Sequence, residues 1–298
     1  LKLAAIDIGS NAARLLIDEV IILPNGKPDF LKMTLVRVPL RLGFDVFETG
    51  RISDEKAEKL IKTIASYKLL IDVYDIDHLI TAATSAMRDA ENAREILDKV
   101  KAETGIEINV ISGDQEATYI YENHIAENLN KNESYLYIDV GGGSTELTFF
   151  SDGKLIAKQS FNIGTIRLLK NQVHENTWNE MKQFILDKTA NLHHITCIGS
   201  GGNINKVFSL SKRKEGKPLT LELLRSYYKE FSSLTLKERM SLYKLREDRA
   251  DVIVHALLIY INVMRWADAE EIYIPKIGLA DGLIHNLYDK ISTEKVTY

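Results

Sequence analysis

The chain has 298 residues, 38 Lys+Arg against 42 Asp+Glu, a formal net charge of -4 and a pI near 6.0. A hydrophobic share of 45% with 27% charged residues is enough for real cores and excludes wholesale disorder, and 17 Gly with 5 Pro exclude a collagenous chain. Mild acidity argues against nucleic-acid binding through bulk charge, which needs a basic surface, but it leaves room for a small anion held by local groups.

The length fits two domains or one large one. The single cysteine, Cys197, forms no intrachain disulfide, so a reducing cytoplasm is the expected compartment. It lies in an apolar strand pattern and reads as a buried, inert thiol. No Cys/His cluster supports a structural zinc site. The most apolar run, Val252 to Met264, is too short to span a membrane and carries His255 and Asn262, so it reads as a core helix. A strand pattern begins by Leu3, which leaves no room for a signal peptide in this chain; the first residue is Leu, so a few residues are expected to precede it.

In chain order, the pattern predicts a strand from Leu3 to Ile8, a turn at Gly9-Ser10-Asn11 and a strand from Arg14 to Ile22. A hairpin turn at Pro24-Asn25-Gly26-Lys27 and a strand from Phe30 to Val38 follow. An amphipathic helix runs from an N-cap at Ser53 to Tyr74. A strand from His78 to Ala83 ends in the small-residue loop Thr84 to Arg88. A further strand, Ile106 to Ile111, and a helix, Asp114 to Leu129, close this half.

The series then recurs. Tyr135 to Val140, the turn Gly141-Gly142-Gly143, Thr145 to Phe150, the turn Ser151 to Lys154 and Leu155 to Phe161 repeat strand, glycine turn, strand, hairpin, strand. Asn176 to Asn191 is the counterpart helix and His194 to Ile198 the counterpart strand, ending at Gly199-Ser200-Gly201-Gly202-Asn203. Asp7 and Asp139 hold the same place in the two series. The expected fold is α/β, βββαβα twice, as two similar domains with a cleft between them. The boundaries are 1–122 and 123–298. The second domain carries a helical extension (Leu221 to Phe231, Leu236 to Tyr243, Arg249 to Trp266, Ala280 to Lys290, with a short strand at Glu271 to Pro275). Whether the last helix packs back on the first domain stays open. The basic stretch Lys212 to Lys217 is a solvated loop or a polyanion contact, and His193-His194 reads as structural.

The two glycine turns carry the strongest chemical signal. Glycine lets backbone amides approach a phosphate closely, and Ser10, Asn11, Ser144 and Thr145 add side-chain donors. Asp139 and Glu146 flank the second turn. Two carboxylates beside a phosphate site suit Mg²⁺, a hard cation that takes oxygen ligands, although one of them alone could cap local backbone. Ser112 and Gln115 have capping-box spacing. Glu116 is either a favourable charge in a first helical turn or a catalytic carboxylate. Arg88 reaches a phosphate, or pairs at the surface with Asp89 or Glu91.

Together these segments resemble a known family. Asp7-Ile8-Gly9-Ser10-Asn11, Ala83 to Arg88, Ile111 to Ala117, Asp139 to Glu146, Ile163 to Leu168, Arg249-Ala250-Asp251 and Gly278 to Gly282 are similar, in order and spacing, to the motifs of the exopolyphosphatase / guanosine pentaphosphate phosphohydrolase family. That family belongs to the actin-like ATPase superfamily, and the likeness is to its short two-domain form. The resemblance implies Mg²⁺-dependent release of terminal orthophosphate from polyphosphate or guanosine pentaphosphate. It implies Glu116 as the catalytic base, Asp139 and Glu146 at the metal, and phosphate binding by Gly9, Ser10, Asn11, Arg88, Gly141, Gly142, Gly143, Ser144 and Thr145. Ala12, Thr118 and Ala280-Asp281 depart from the family pattern, which puts substrate choice rather than catalysis in question. A non-catalytic guanosine tetra- or pentaphosphate sensor and an ATP-dependent kinase are the other readings. No DNA or membrane partner is expected, and a homodimer is compatible with the sequence.

Overall fold

The computed structural model describes residues 1–122, 133–190, 192, 194–275 and 278–296. The last residues of the helix expected to reach Leu129, and Asn191 and His193, lie outside them. The chain divides into two compact units, Leu1–Asn123 with Leu279–Tyr298, and His124–Gly278.

The first unit is built on β1 (Lys2–Ile8), β2 (Ala13–Ile22), β3 (Pro28–Val38) and β4 (His78–Ala83), in the order β3-β2-β1-β4. β1 pairs antiparallel with β2 and parallel with β4. Its helices are α1 (Leu42–Thr49), α2 (Asp54–Val73), α3 (Ser85–Asp89), α4 (Ala93–Thr104) and α5 (Gly113–Glu122). α2 buries Leu60, Ile64, Tyr67 and Ile71, the one-face spacing of an amphipathic helix. Ser53 sits at its N-cap but leaves the helix amides uncapped. Its hydroxyl donates instead to Asp45 at 2.6 Å.

The expected strand at Ile106 to Ile111 is not a strand. It makes one bridge, Val110 to Ala83. Thr81 Oγ1 donates to Glu107 O at 2.8 Å and accepts from Asn109 N at 3.1 Å, so a side chain takes the place of ladder bonds along β4. Ile106 and Ile108 are still buried, and that gave the segment its alternating pattern.

The second unit begins with the same arrangement. β5 (Ser134–Val140), β6 (Thr145–Ser151), β7 (Lys154–Phe161) and β8 (Ile195–Ser200) lie in the order β7-β6-β5-β8, with β5 antiparallel to β6 and parallel to β8. β10 (Glu271–Tyr273) and β9 (Leu219–Thr220) extend the sheet beyond β8. Helices α6 (Thr165–Leu169), α7 (Glu175–Thr189), α8 (Gly202–Ser211), α9 (Leu221–Ser233), α10 (Leu236–Tyr243), α11 (Glu247–Ala250) and α12 (Ile253–Trp266) complete the unit.

The helix expected from Arg249 to Trp266 is broken at Asp251–Val252 into α11 and α12. α12 is apolar on most sides and buries Ile253, Ala256, Leu257, Ile259, Tyr260, Ile261, Val263 and Met264, as a core helix must. Among the described residues no helix is long and apolar enough to cross a membrane. The last helix, α13 (Leu279–Val296), belongs to the first unit. It packs on β1, β2, β4 and α5 through Leu279, Leu283 and Ile284.

Candidate active site

In the first unit the turn after β1 is tied down by its carbonyls. Gly43 N–H donates to Ser10 O at 2.9 Å and Arg41 N–H to Asn11 O at 2.9 Å. In a planar trans peptide the N–H points opposite to the C=O. The amides of Asn11 and Ala12 therefore point away from the Arg41–Gly43 segment. Ser10 Oγ meets Ser85 Oγ at 2.8 Å, and Thr84 N–H donates to Ile8 O at 3.0 Å, so the start of α3 is fastened to the turn.

One helical turn on, Arg88 donates to Ile111 O at 2.8 Å and to Glu116 Oε2 at 3.1 Å. The ion pair is thus with Glu116; of the surface partners the sequence offered, Asp89 and Glu91, the latter lies 3.6 Å from Arg51. Glu116 is 7% exposed. Its helix begins with the capping box read from the sequence: Gln115 N–H donates to Ser112 Oγ at 3.1 Å, and Ser112 N–H to Gln115 Oε1 at 2.9 Å. The structure brings Gly9, Ser10, Asn11, Arg88 and Glu116 into one connected group within this unit.

The second unit repeats the device. Thr165 N–H donates to Gly141 O at 3.0 Å, Ile166 N–H to Gly142 O at 2.8 Å and Arg167 Nε to Gly143 O at 2.8 Å. The amides of Gly142, Gly143 and Ser144 point the other way, the arrangement of an anion-binding nest. Thr145 is fully buried, and its hydroxyl donates to Ile163 O at 2.6 Å, so that side chain holds the loop.

Asp139 and Glu146 are direct register partners across β5 and β6, with carboxylate oxygens within 4.8 Å of each other. Glu146 is 2% exposed. Like charges directly opposite on antiparallel strands repel, and burial raises the cost. A hard divalent cation offsets both, and an all-oxygen donor pair fits Mg²⁺ chemistry. Ser200 Oγ donates to Asp139 Oδ1 at 2.6 Å, and Ser160 Oγ to Glu146 Oε1 at 2.8 Å.

The family model for the Ppx/GppA phosphatases matches residues 25–291. The chain belongs to the Ppx/GppA phosphatase family. Among curated relatives of this Ppx/GppA chain, a bifunctional 3-dehydroquinate synthase/phosphatase of Fusobacterium nucleatum is 31% identical over 80% of this chain and 35% of its own length. Exopolyphosphatase 1 of Mycobacterium tuberculosis is 27% identical over 95% of this chain and 87% of its own. A guanosine-5'-triphosphate,3'-diphosphate pyrophosphatase of Aliivibrio fischeri is 24% identical over 98% and 60%. The chain therefore spans about a third to nearly nine-tenths of these relatives.

Among solved structures, the Aquifex aeolicus Ppx/GppA family member aligns with a TM-score of 0.74 and 26% identity, covering 97% of this chain and 98% of its own. An exopolyphosphatase from Cytophaga hutchinsonii aligns at 0.84 and 24%, with the same coverage, which shows the fold. That fold is the actin-like ATPase fold.

Departures from the family pattern have local explanations. Ala12 is buried, and its carbonyl accepts from Gly9 N–H at 3.0 Å. Thr118 Oγ1 donates to Asp114 O at 2.8 Å within α5. Asp281 pairs with Lys32 at 2.9 Å. Sequence reasoning missed Ser160, which carries no motif, and the Arg41–Gly43 segment, which reads as a loop. It saw Ser200 only as part of a glycine loop. Hairpin register alone does not find Ser160: counting back from the Ser151–Lys154 turn places Gln159 opposite Glu146, and the irregularity between Phe149 and Phe150 moves Ser160 there.

Proposed function

We propose that this protein hydrolyses the terminal phosphoanhydride of a phosphate chain, releasing orthophosphate from inorganic polyphosphate or from guanosine pentaphosphate. Membership of a phosphatase family supports the reaction class, and relatives named for each substrate support that pair. The observation that carries the chemistry is the Asp139–Glu146 pair, with Glu146 buried and Asp139 half-buried, flanking a turn whose amides are presented as an anion nest.

In this reading the Asn11 and Ala12 amides of the first unit and the Gly142, Gly143 and Ser144 amides of the second hold phosphoryl oxygens. Glu116 accepts the proton of the attacking water. Arg88 holds Glu116 before substrate arrives and is shared with a phosphate oxygen afterwards. Asp139 and Glu146 would hold Mg²⁺, which supplies positive charge against the phosphate oxygens when bound. A single buried thiol has no need of an oxidising compartment, and we place the activity in the cytoplasm.

The test is orthophosphate release from each substrate by wild type and Glu116→Gln. The variant is expected to lose about 10²–10⁴-fold in kcat while binding substrate with unchanged affinity. An unchanged rate overturns Glu116 as the base. Tight guanosine nucleotide binding without release by the wild type replaces catalysis with sensing, and phosphate transfer to an acceptor rather than water makes it a kinase.

A further inference from the structure

The register of the second sheet puts four polar residues in one rung. Ser160 on β7 is opposite Glu146 on β6, Glu146 is opposite Asp139 on β5, and Asp139 is aligned with Ser200 on β8. Residues aligned across neighbouring strands share a face, so the order Ser–Glu–Asp–Ser runs across one side of the sheet. Each serine reaches inward to its neighbouring carboxylate: Ser200 Oγ to Asp139 Oδ1 at 2.6 Å, and Ser160 Oγ to Glu146 Oε1 at 2.8 Å.

Hydroxyl-to-carboxylate bonds of this length are charge-assisted and among the stronger side-chain bonds. Ser200 is itself anchored, since its carbonyl accepts from the hydroxyl of Tyr260, a fully buried residue of α12. Burial first, and the Asp139 charge second, hold the Tyr260 phenol well above its usual range, so it stays a donor.

We propose that Ser160 and Ser200 are positioning residues that fix the torsions of Glu146 and Asp139, so that the two-carboxylate donor set is formed before a divalent cation arrives. This rests on the reading of Asp139 and Glu146 as the cation ligands. The two serines act through the carboxylates. They act by removing the rotamer freedom that two mutually repelling carboxylates would otherwise use to turn apart. Groups that orient metal ligands commonly cost about 10–100-fold in metal affinity or activity when removed.

The experiment is calorimetric titration of Mg²⁺ into the full chain, without substrate, for wild type, Ser160→Ala, Ser200→Ala, Ser200→Thr and Asp139→Asn. Thermal melting and orthophosphate release over a range of Mg²⁺ are measured alongside. Each alanine variant is expected to weaken Mg²⁺ binding about 10-fold, with its loss of melting temperature repaired at saturating Mg²⁺. The lost turnover should return at saturating Mg²⁺, and Ser200→Thr, which keeps the hydroxyl, should bind like wild type.

Alanine variants that bind Mg²⁺ as wild type does overturn the positioning role while leaving the ligand assignment standing. A loss of melting temperature that saturating Mg²⁺ does not repair also overturns it, because the serines would then be structural. Wild type and Asp139→Asn with the same isotherm overturn the ligand assignment itself.

Discussion

Asp7 and Arg14 face each other across β1 and β2 with 2.6 Å between Oδ2 and Nη1, at the register step that Asp139 and Glu146 occupy across β5 and β6. The same rung of the repeated fold therefore carries opposite chemistry in its two copies. In the first it reads Arg37–Arg14–Asp7–Ala82, in the second Ser160–Glu146–Asp139–Ser200. The first neutralises its aspartate internally. The second sets two carboxylates together, an all-oxygen donor pair of the kind that suits a divalent cation.

The Asp7 side chain is 3% exposed, so deleting its partner leaves a charge out of water. Arg14→Ala is expected to cost about 2–3 kcal/mol of stability, less than a fully buried pair because Arg14 is about a third exposed. Urea unfolding of Arg14→Ala, Asp7→Ala and the double variant checks this. The double variant should be more stable than the sum of the single losses predicts. Strict additivity would mean that the two side chains do not interact energetically.

Gly164 needs its lack of a side chain for space. Its φ of -132° is ordinary extended backbone, yet an added Cβ would lie 2.3 Å from Gly142 O and 2.4 Å from Gly143 C. Both are backbone atoms of the Gly141–Ser144 turn, so the turn itself must move. Gly164→Ala is expected to cost roughly 2–3 kcal/mol, the upper range for overpacking. It should also abolish orthophosphate release even at temperatures where the protein is folded. Gly26→Ala, where nothing lies within 4 Å, is the control for substitution at a distant turn, strained there only by its φ of +79°. Full activity in Gly164→Ala would separate the start of α6 from the site.

Much of this was legible in the sequence because glycine turns and period-two strands announce themselves locally. The turns at Gly9 and Gly141, the hairpins after them and the Ser112–Gln115 capping box all rest on neighbours in the chain. What was not legible depends on distant partners. Gly199-Ser200 reads as loop, but β8 continues through it because β5 pairs with it, Ile138 with Gly199 and Asp139 with Ser200. A side chain at Gly199 would strike Ile272 and Ile274. α1 follows Arg41, a non-glycine residue at φ 56°, and bonds from Arg41 and Gly43 to the Ser10–Asn11 turn hold that conformation. The Ser160–Ser200 rung exists only once three pairings are set.

Cys197 lies fully buried in the middle of β8, and burial pushes its thiol up to about 12. The nucleophilic species is the thiolate, which is then scarce at neutral pH and out of reach as well. A disulfide reagent such as DTNB at pH 8 is expected to label nothing in the folded protein and one thiol per chain in guanidinium. Rapid labelling without denaturant would mean that β8 opens under native conditions.

Asp18 is a buried carboxylate outside the active site. It is 3% exposed, faces Lys32 across β2 and β3, and is approached by Asp281 from the start of α13, which itself pairs with Lys32 at 2.9 Å. Burial first and the Asp281 charge second raise its pKa to about 6, against the opposing pull of Lys32. An acid whose folded pKa lies above its unfolded value binds its proton more tightly when folded. Its ionised form therefore weakens the fold, fully above pH 6, and the penalty disappears as pH falls toward 4. Asp18→Asn, of the same shape without the charge, should melt higher than wild type at pH 7.5, and the gap should close by pH 4. Melting curves of both proteins across that window test it. An Asn variant that melts lower at pH 7.5 would mean that the ionised Asp18 stabilises the fold through Lys32 more than burial penalises it.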